Sequence, residues 1–177
     1  MERKSWARTD PGRKRPNNED ALFRDDDLGL YVVADGVGGA AAGEEASQTA
    51  VRTIAHAGPR LRRLVEAYDL QPDDENARRA VFDALQDAIE RANNEVFASA
   101  RSDPKLKGMM TTLTVVLVAR EAAFVGHVGD SRLYLVRNGL LEQVTTDHTL
   151  AEMMVQAGRI SRAEIASFAF SNVLARV

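Results

Sequence analysis

The chain has 177 residues, of which 45% are hydrophobic and 28% are charged, and this is enough for one domain with a core of its own. It has no cysteine, which excludes disulfide bonds and thiolate metal sites and suits a reducing compartment, so we expect a cytoplasmic protein whose metal ligands are oxygen or imidazole groups. The formal net charge of −3 gives no electrostatic argument for nucleic acid as a partner.

The N-terminal part of the chain is predicted to form a loop followed by a β-hairpin. Residues 9–20 are dense in Pro, Gly and Asn, which is typical of a loop. Residues 21–23 then indicate a short strand, residues 24–27 a charged turn, and residues 28–34 a buried strand rich in β-branched side chains. Such a hairpin would bring Glu19 and Asp20 back towards Asp35.

Asp35 is predicted to end this strand, where it is followed by Gly36. A carboxylate fixed there, next to a residue without a Cβ, would let a side-chain oxygen and a backbone carbonyl approach one cation. Asp-Gly after a strand is, however, more often a simple turn. The spacing Gly36-x-Gly38-x-x-Ala41 also matches a dinucleotide-binding fingerprint. That alternative is the weakest, because an ionised Asp35 would repel a pyrophosphate and no acid stands where the ribose ligand is expected.

Two helices are predicted to follow. Small apolar residues at four-residue spacing predict a first helix that begins at Gly43 and ends near Gly58-Pro59. After a polar link at residues 72–74, apolar positions from Ala77 to Val96 predict a longer second helix.

The second half is predicted to be an antiparallel meander with a small helical insert. Residues 111–119, 122–128 and 133–136 are apolar or β-branched runs, and Asn138-Gly139 is a strong hairpin signal. Thr149-x-x-Glu152 and Ser161-x-x-Glu164 resemble capping boxes of two short helices, the first ended by Gly158. Strands and helices grouped in this way favour an antiparallel sheet with helices on its face. The apolar run at residues 113–119 is too short to span a bilayer, and we expect no membrane partner.

Acidic residues are concentrated at the predicted strand ends and in the adjoining loops. They are Glu19 with Asp20, Asp35, Asp130 and Asp147. Carboxylates gathered in one place repel each other, so a converged set requires protons or divalent cations such as Mg²⁺ or Mn²⁺. Such ions can activate water for displacement at a phosphoryl group, which Arg15 could bind as a bidentate fork. Spacing alone leaves their convergence open, because isolated strand-end aspartates usually bond a nearby amide.

Five segments resemble, in chain order, the motifs of bacterial metal-dependent protein phosphatases of the PP2C type. They are Asp10-x-Gly12-x-x-Arg15-x-x-Asn18-Glu19-Asp20, Val33-Ala34-Asp35-Gly36-x-Gly38-Gly39, Gly108-Met109-x-Thr111-Thr112, Val128-Gly129-Asp130-Ser131-Arg132 and Asp147-His148-Thr149-Leu150. The resemblance implies a single phosphatase domain over residues 1–177, of the α+β class. The implied architecture is an α-β-β-α sandwich of two antiparallel sheets flanked by helix pairs. The implied activity is hydrolysis of phosphoserine and phosphothreonine in proteins with two or three Mn²⁺ or Mg²⁺ ions. The expected partners are phosphorylated proteins, including a serine/threonine kinase or its targets.

The resemblance also implies roles for individual metal-site residues. Asp35 is similar to the carboxylate that bridges two metal ions, and Gly36 to the residue whose carbonyl binds one of them. Glu19 and Asp20 resemble the acids that hold metal-bound waters, and Asp130 resembles a ligand of the third ion in bacterial members.

Two further features are carried over from the family. Arg15 resembles the arginine that binds the substrate phosphate. The insert at residues 148–170 resembles a mobile flap beside the active site, whose sequence is expected to influence substrate choice.

The sequence also departs from the family pattern. Ala40 stands where bacterial relatives usually carry a histidine, which removes a candidate proton donor. Residues 168–171 replace a His-Pro stretch that is common in the family, and no aspartate follows Asp147, although the family closes its metal site with two late aspartates. We therefore expect a domain that lacks its last third, binds metal weakly and turns over slowly. Exposed sheet edges would then favour dimerisation. The alternative is a catalytically degenerate phosphatase-like domain that binds phosphoproteins or regulates a partner.

Overall fold

A computed structural model describes residues 2–38 and 40–177 of the chain, without the side chains of residues 40 and 41. Its strands are β1 (Asp20–Asp25), β2 (Leu30–Val37), β3 (Met110–Thr111), β4 (Leu113–Val118), β5 (Ala123–Val128), β6 (Tyr134–Arg137) and β7 (Leu140–Gln143). Its α-helices are α1 (Ala40–Leu70), α2 (Glu75–Ser102) and α3 (Leu150–Gln156). Short 3-10 helices occupy Pro104–Leu106 and Arg162–Ser167.

The strands form a larger and a smaller antiparallel sheet. The larger sheet has the order β1-β2-β4-β5, and the short β3 pairs with the end of β2 beyond β4. The smaller sheet is the ribbon β6-β7, joined through Asn138 and Gly139, both of which have positive φ angles as a two-residue hairpin turn requires. The predicted hairpins and the α+β class are confirmed.

The core lies between one face of the larger sheet and the helix pair α1-α2. Alternate residues of β2 point to this face, so Leu30 and Val32 are buried whereas Val33 between Val32 and Ala34 is 47% exposed. Small residues such as Ala46 and Ala50 let α1 lie close to the strands. The helices of residues 2–38 and 40–177 contain no apolar stretch of the length that a membrane-spanning helix requires.

The predicted end of the first helix near Gly58-Pro59 is wrong, because α1 runs through Pro59 to Leu70. Leu61, which follows the proline, is fully buried, and apolar residues continue at helical spacing beyond it. Gly58 packs against the side chain of Leu28, where a Cβ would lie 2.9 Å from Leu28 Cδ1. Burial of the second half of α1 therefore outweighs the hydrogen bond that Pro59 cannot make.

The predicted end of the second strand at Asp35 is also wrong. β2 continues through Asp35 and Gly36 to Val37, because β3 pairs with these last residues. The single strand expected at residues 111–119 is correspondingly divided at Thr112 into β3 and β4.

Both N-caps lie where the sequence predicts them, and a complete capping box is formed at Ser161. The Thr149 hydroxyl accepts the N–H of Glu152 at 3.2 Å and begins α3, and Gly158 lies beyond its end with φ +67°. The Ser161 N–H donates to the Glu164 carboxylate at 2.7 Å and begins a 3-10 helix rather than an α-helix.

Within the described residues, α1 and α2 are the only helix pair on the larger sheet.

Candidate active site

The acidic residues lie along one cross-strand row of the larger sheet. Asp20 on β1 is paired directly with Asp35 on β2. Thr112 continues the register on the other side of Asp35, and its N–H donates to the Asp35 carbonyl at 2.9 Å. Gly129 follows β5 at the far end of this row, and Asp130 comes next. The row lies on the face of the sheet that points away from α1 and α2, so its carboxylates are not in the apolar core.

The charges in this row act on Asp35. Partial burial of the carboxyl group is the largest cause that raises the pKa of Asp35 above its ordinary value, followed by the negative charge of Asp20. The positive charge of Arg15 lowers the Asp35 pKa, and Asp130 raises it further. Because Asp35 as a residue remains exposed, a cation from solvent can reach this carboxylate.

Glu19 and Gly36 form the side of the site that faces α1. The Gly36 N–H donates to the Glu19 carbonyl at 3.0 Å, which closes the end of the β1-β2 pair. A Cβ on Gly36 would collide with the carbonyl of Gly43 in α1, so only glycine fits here. The Glu19 side chain is 13% exposed and lies 3.4 Å from the Arg15 guanidinium. Arg15 itself is mostly exposed, at the rim of the row.

Asp147 is held by a different partner. Its two carboxylate oxygens accept from Nε and Nη2 of Arg132 at 2.9 and 2.6 Å, a bidentate ion pair that raises the pKa of Arg132. Asp130 and Asp147 both line a polar cavity of about 810 Å³ that extends to residues 162–166 of the insert and to residues 171–172 after it. In this cavity the buried carboxylate of Glu152 accepts from Arg162 at 2.8 Å.

Within residues 2–38 and 40–177, no group of three or more His, Asp or Glu side chains is placed closely enough to hold a metal ion. The row instead presents the opposed pair Asp20 and Asp35, with Asp130 near enough to influence Asp35 electrostatically. All of these donors are oxygens, which are the ligands that Mg²⁺ and Mn²⁺ prefer.

Comparison with known proteins identifies the family. The family described as "Protein phosphatase 2C" matches residues 13–171. The chain belongs to the protein phosphatase 2C family. The serine/threonine phosphatase stp of Listeria monocytogenes serotype 4b is 35% identical over 172 residues, which cover 96% of this chain and 64% of that protein. The serine/threonine protein phosphatase PstP of Mycobacterium tuberculosis is 37% identical over 158 residues, covering 89% of this chain and 27% of that protein.

Solved phosphatase structures have the same fold. A crystal structure of Mycobacterium tuberculosis PstP/Ppp superposes with a TM-score of 0.78 at 36% identity, covering 94% of this chain and 64% of that one. A crystal structure of the PstP catalytic domain in complex with two manganese ions gives a TM-score of 0.70 at 37% identity, covering 89% of this chain and 61% of that one. This protein phosphatase 2C chain therefore spans less than two thirds of the length of these relatives.

The predicted site residues differ in how they interact with the row. Asp20, Asp35, Asp130 and Arg15 are coupled through their charges, whereas Glu19 contacts the row through its backbone and through Arg15. Their roles as metal and phosphate ligands stay predictions. The side chain of Ala40 lies outside the described residues.

Sequence reasoning assigned no role to Thr111 and Thr112, although both belong to a family motif. The Thr111 hydroxyl lies 3.2 Å from the Asp35 carbonyl oxygen, and the Thr112 hydroxyl accepts the Asp35 N–H at 3.0 Å. Thr112 is 1% exposed. A Thr-Thr pair before an apolar run is the signal that was present in the sequence, but its partners are distant along the chain and cannot be inferred from local pattern.

Proposed function

We propose that this protein hydrolyses phosphoserine and phosphothreonine in phosphorylated proteins, with Mn²⁺ or Mg²⁺ bound at Asp35 in the acidic row. The observation that carries the proposal is the direct pairing of Asp35 with Asp20, with Asp130 and Arg15 close enough to influence the Asp35 pKa. Membership of the protein phosphatase 2C family and the serine/threonine phosphatases among its relatives support the proposal.

The residues present fit hard divalent cations. Opposed carboxylates repel each other in the absence of a counterion, and the pKa of Asp35 is raised first by partial burial and then by the negative charge of Asp20. We propose that Asp35 and the Gly36 carbonyl hold the ions, that Glu19 and Asp20 orient bound waters, and that Asp130 binds a further ion. The two manganese ions in the PstP catalytic domain support the first two of these ions.

When bound, such ions activate water as a nucleophile and neutralise charge on the phosphoryl group. The chain's own contribution is orientation. Arg15 lies at the open rim of the row, and Glu19 holds one of its guanidinium nitrogens at 3.4 Å, so its remaining N–H groups are available to phosphoryl oxygens. Asp20 and Asp35, fixed by the β1-β2 register, direct their carboxylates to the same side of the sheet.

The proposal is tested by titrating the chain with Mn²⁺ in a calorimeter and by assaying Mn²⁺-dependent hydrolysis of a phosphothreonine peptide. We expect the wild-type chain to bind Mn²⁺ and Asp35→Asn to lose both binding and turnover. Asp83→Asn, which removes a carboxylate from the exposed surface of α2, is the matched control and should bind Mn²⁺ as the wild type does. A wild-type chain without Mn²⁺ binding, or an Asp35→Asn variant that binds normally, contradicts the proposal.

A second candidate function is phosphoprotein binding or regulation of a partner without catalysis. The observation that favours it is that no three acidic or histidine side chains of the described residues are close enough to hold an ion. The two functions are separated by measuring binding of a phosphothreonine peptide in EDTA. The second predicts binding without metal and no hydrolysis with it, whereas the first predicts metal-dependent hydrolysis that Arg15→Ala weakens.

The proposal extends to the cellular role of the protein and to its self-association. We propose a cytoplasmic signalling role opposite a serine/threonine kinase. Dimerisation is supported by the exposed apolar residues on the β6-β7 ribbon, such as Leu140 and Leu141, and light scattering of the purified chain tests it.

A further inference from the structure

The β-ladder is altered at one position beside the acidic pair. Thr112 lies opposite Asp35, and its N–H donates to the Asp35 carbonyl at 2.9 Å, as a ladder requires. The return bond is different, because the Asp35 N–H donates to the Thr112 hydroxyl at 3.0 Å instead of to the Thr112 carbonyl. The Thr112 carbonyl accepts from the Thr111 hydroxyl at 2.9 Å. A side chain therefore takes the place of the backbone in holding Asp35, at the point where β3 and β4 separate.

The same hydroxyl also reaches the loop that carries Asp130. Thr112 Oγ1 lies 2.8 Å from Oγ of Ser131, the residue after Asp130. Thr112 is 1% exposed, so solvent does not compete for these bonds. One buried oxygen atom thus connects the backbone of Asp35 to the neighbour of Asp130.

The methyl group of Thr112 has a separate contact. Gly129, which begins the loop, has φ +105°, and a Cβ there would lie 2.5 Å from Thr112 Cγ2. The chain therefore leaves β5 directly over the threonine methyl, and only glycine permits this approach. Valine at position 112 would keep the methyl contact and lose both hydrogen bonds, whereas serine would keep the hydroxyl and lose the contact.

We propose that Thr112 is a positioning residue that sets the place of Asp35 relative to Asp130, and that it does so through its hydroxyl. The inference rests on the proposed function in that it treats both aspartates as metal ligands. Asp35 belongs to β2 and Asp130 to the loop after β5, so the strand between them is the element that must hold them in register. Thr112, at the junction of β3 and β4 where that strand begins, bonds to both sides.

The test compares Thr112→Val and Thr112→Ser with a matched control, Thr114→Val. Thr114 lies on the same face two residues further along β4, is 4% exposed, and shares its hydroxyl with His127 Nδ1 at 2.9 Å. Its replacement therefore removes another buried threonine hydroxyl bond from the same strand without touching Asp35 or the Asp130 loop.

Three measurements are made on each variant: Mn²⁺ affinity by calorimetry, thermal unfolding, and exchange of the Asp35 amide proton by NMR. We expect Thr112→Val to weaken Mn²⁺ binding by about tenfold or more, which is usual when a group that orients a metal ligand is removed. Thr112→Ser should bind Mn²⁺ less than about tenfold more weakly than wild type, because the bonding atom is retained. Thr114→Val should lose a similar amount of thermal stability and keep wild-type Mn²⁺ affinity.

The outcomes separate this inference from the proposed function. Wild-type affinity in Thr112→Val, or an equal loss in Thr114→Val, overturns the positioning role while leaving the metal site intact. If the wild-type chain does not bind Mn²⁺ at all, the proposed function fails. The positioning role of Thr112 is then tested in the metal-free protein by the exchange rate of the Asp35 amide proton. Exchange that is faster in Thr112→Val than in Thr114→Val supports it, and equal exchange overturns it.

Discussion

The two faces of the five-stranded sheet differ in what covers them and in what they carry. On one face, residues such as Leu30, Val32 and Leu117 are at most 2% exposed beneath α1 and α2. The other face carries the acidic row, and there Val33 is 47% exposed. Because successive residues of a strand point to opposite sides, β2 contributes to the core and to the candidate site at once. The carboxylates thereby avoid the apolar interior, where an uncompensated charge is costly.

The largest difference is expected between a leucine of the core and one on the β6-β7 ribbon. Leu117→Ala should destabilise the fold by about 3 kcal/mol, because a fully buried side chain is replaced by a cavity. Leu141, which is 68% exposed, provides the matched control, and Leu141→Ala should cost under about 0.5 kcal/mol. Urea unfolding measures both. Equal losses would mean that the ribbon is covered in solution, for example by a second copy of the chain.

A finer comparison uses two neighbouring valines on β2. Val32 is 2% exposed on the helix-covered face and Val33 is 47% exposed on the other. We expect Val32→Ala to cost about 2 kcal/mol and Val33→Ala about 0.5 kcal/mol in the same unfolding experiment. The chemical change is identical, so any difference reports the covering of the two faces. A reversed order would place the core on the wrong side of the sheet.

Removing the charge of Asp35 should stabilise the metal-free protein slightly. Its pKa is raised in the folded state, so the wild type loses stability as pH rises from the ordinary aspartate value through the raised one. At pH 7 we expect Asp35→Asn to gain about 0.5 kcal/mol, a small value because solvent screens an exposed carboxylate. The gain in stability should vanish well below pH 3.8, where Asp35 is protonated in both the folded and the unfolded wild-type protein. Saturating Mn²⁺ should raise the melting temperature of the wild type but not that of Asp35→Asn.

The smallest expected effect concerns His148, which lies beside the loop that carries Asp130. Its Nδ1 accepts the Gly129 N–H at 3.2 Å, so the ring is neutral in this arrangement. Burial is the first cause that lowers the His148 pKa, and the charges of His127 and Arg176 lower it further, while Asp147 opposes them. The contribution of neutral His148 to the free energy of unfolding is therefore fully present above the ordinary histidine pKa of 6.5, and it declines as pH falls below that value.

The matched variant is His148→Asn, which can still accept from Gly129 but does not titrate. Thermal unfolding is measured from about pH 7.5 to about pH 5, a range that includes the ordinary histidine pKa of about 6.5. The melting temperature of this variant should decline less over that range than the melting temperature of wild type. Parallel pH profiles would show that His148 protonation does not oppose folding.

Local pattern predicted much of the fold because the required information was adjacent in sequence. The β1-β2 hairpin, the Asn138-Gly139 turn and the helix caps at Thr149 and Ser161 each depend on residues within a few positions of one another. The end of α1 was wrong for the opposite reason. Pro59 is a local helix-breaking signal, but burial of Leu61 against distant strands overrides it.

The candidate site shows the same division. Motif order identified Arg15, Glu19, Asp20, Asp35, Gly36 and Asp130 as residues of interest. It did not indicate that Asp35 lies within β2, that Arg132 holds Asp147, or that Thr112 bonds to both Asp35 and Ser131. These contacts join residues far apart along the chain, and their spacing in sequence carries no signal of them.

The amino-acid sequence by itself determined the class of elements, their order, the all-oxygen donor chemistry and the family to which the motifs point. The elements and the donor chemistry follow from side-chain periodicity, turn residues and composition, which are local properties, whereas the family follows from the resemblance of five motifs in order. Tertiary structure alone decided which acids face each other, which are paired with arginine, and which threonine connects the strands between them. The reason is that a cross-strand register is fixed by packing the whole sheet against α1 and α2, and no single segment contains that constraint.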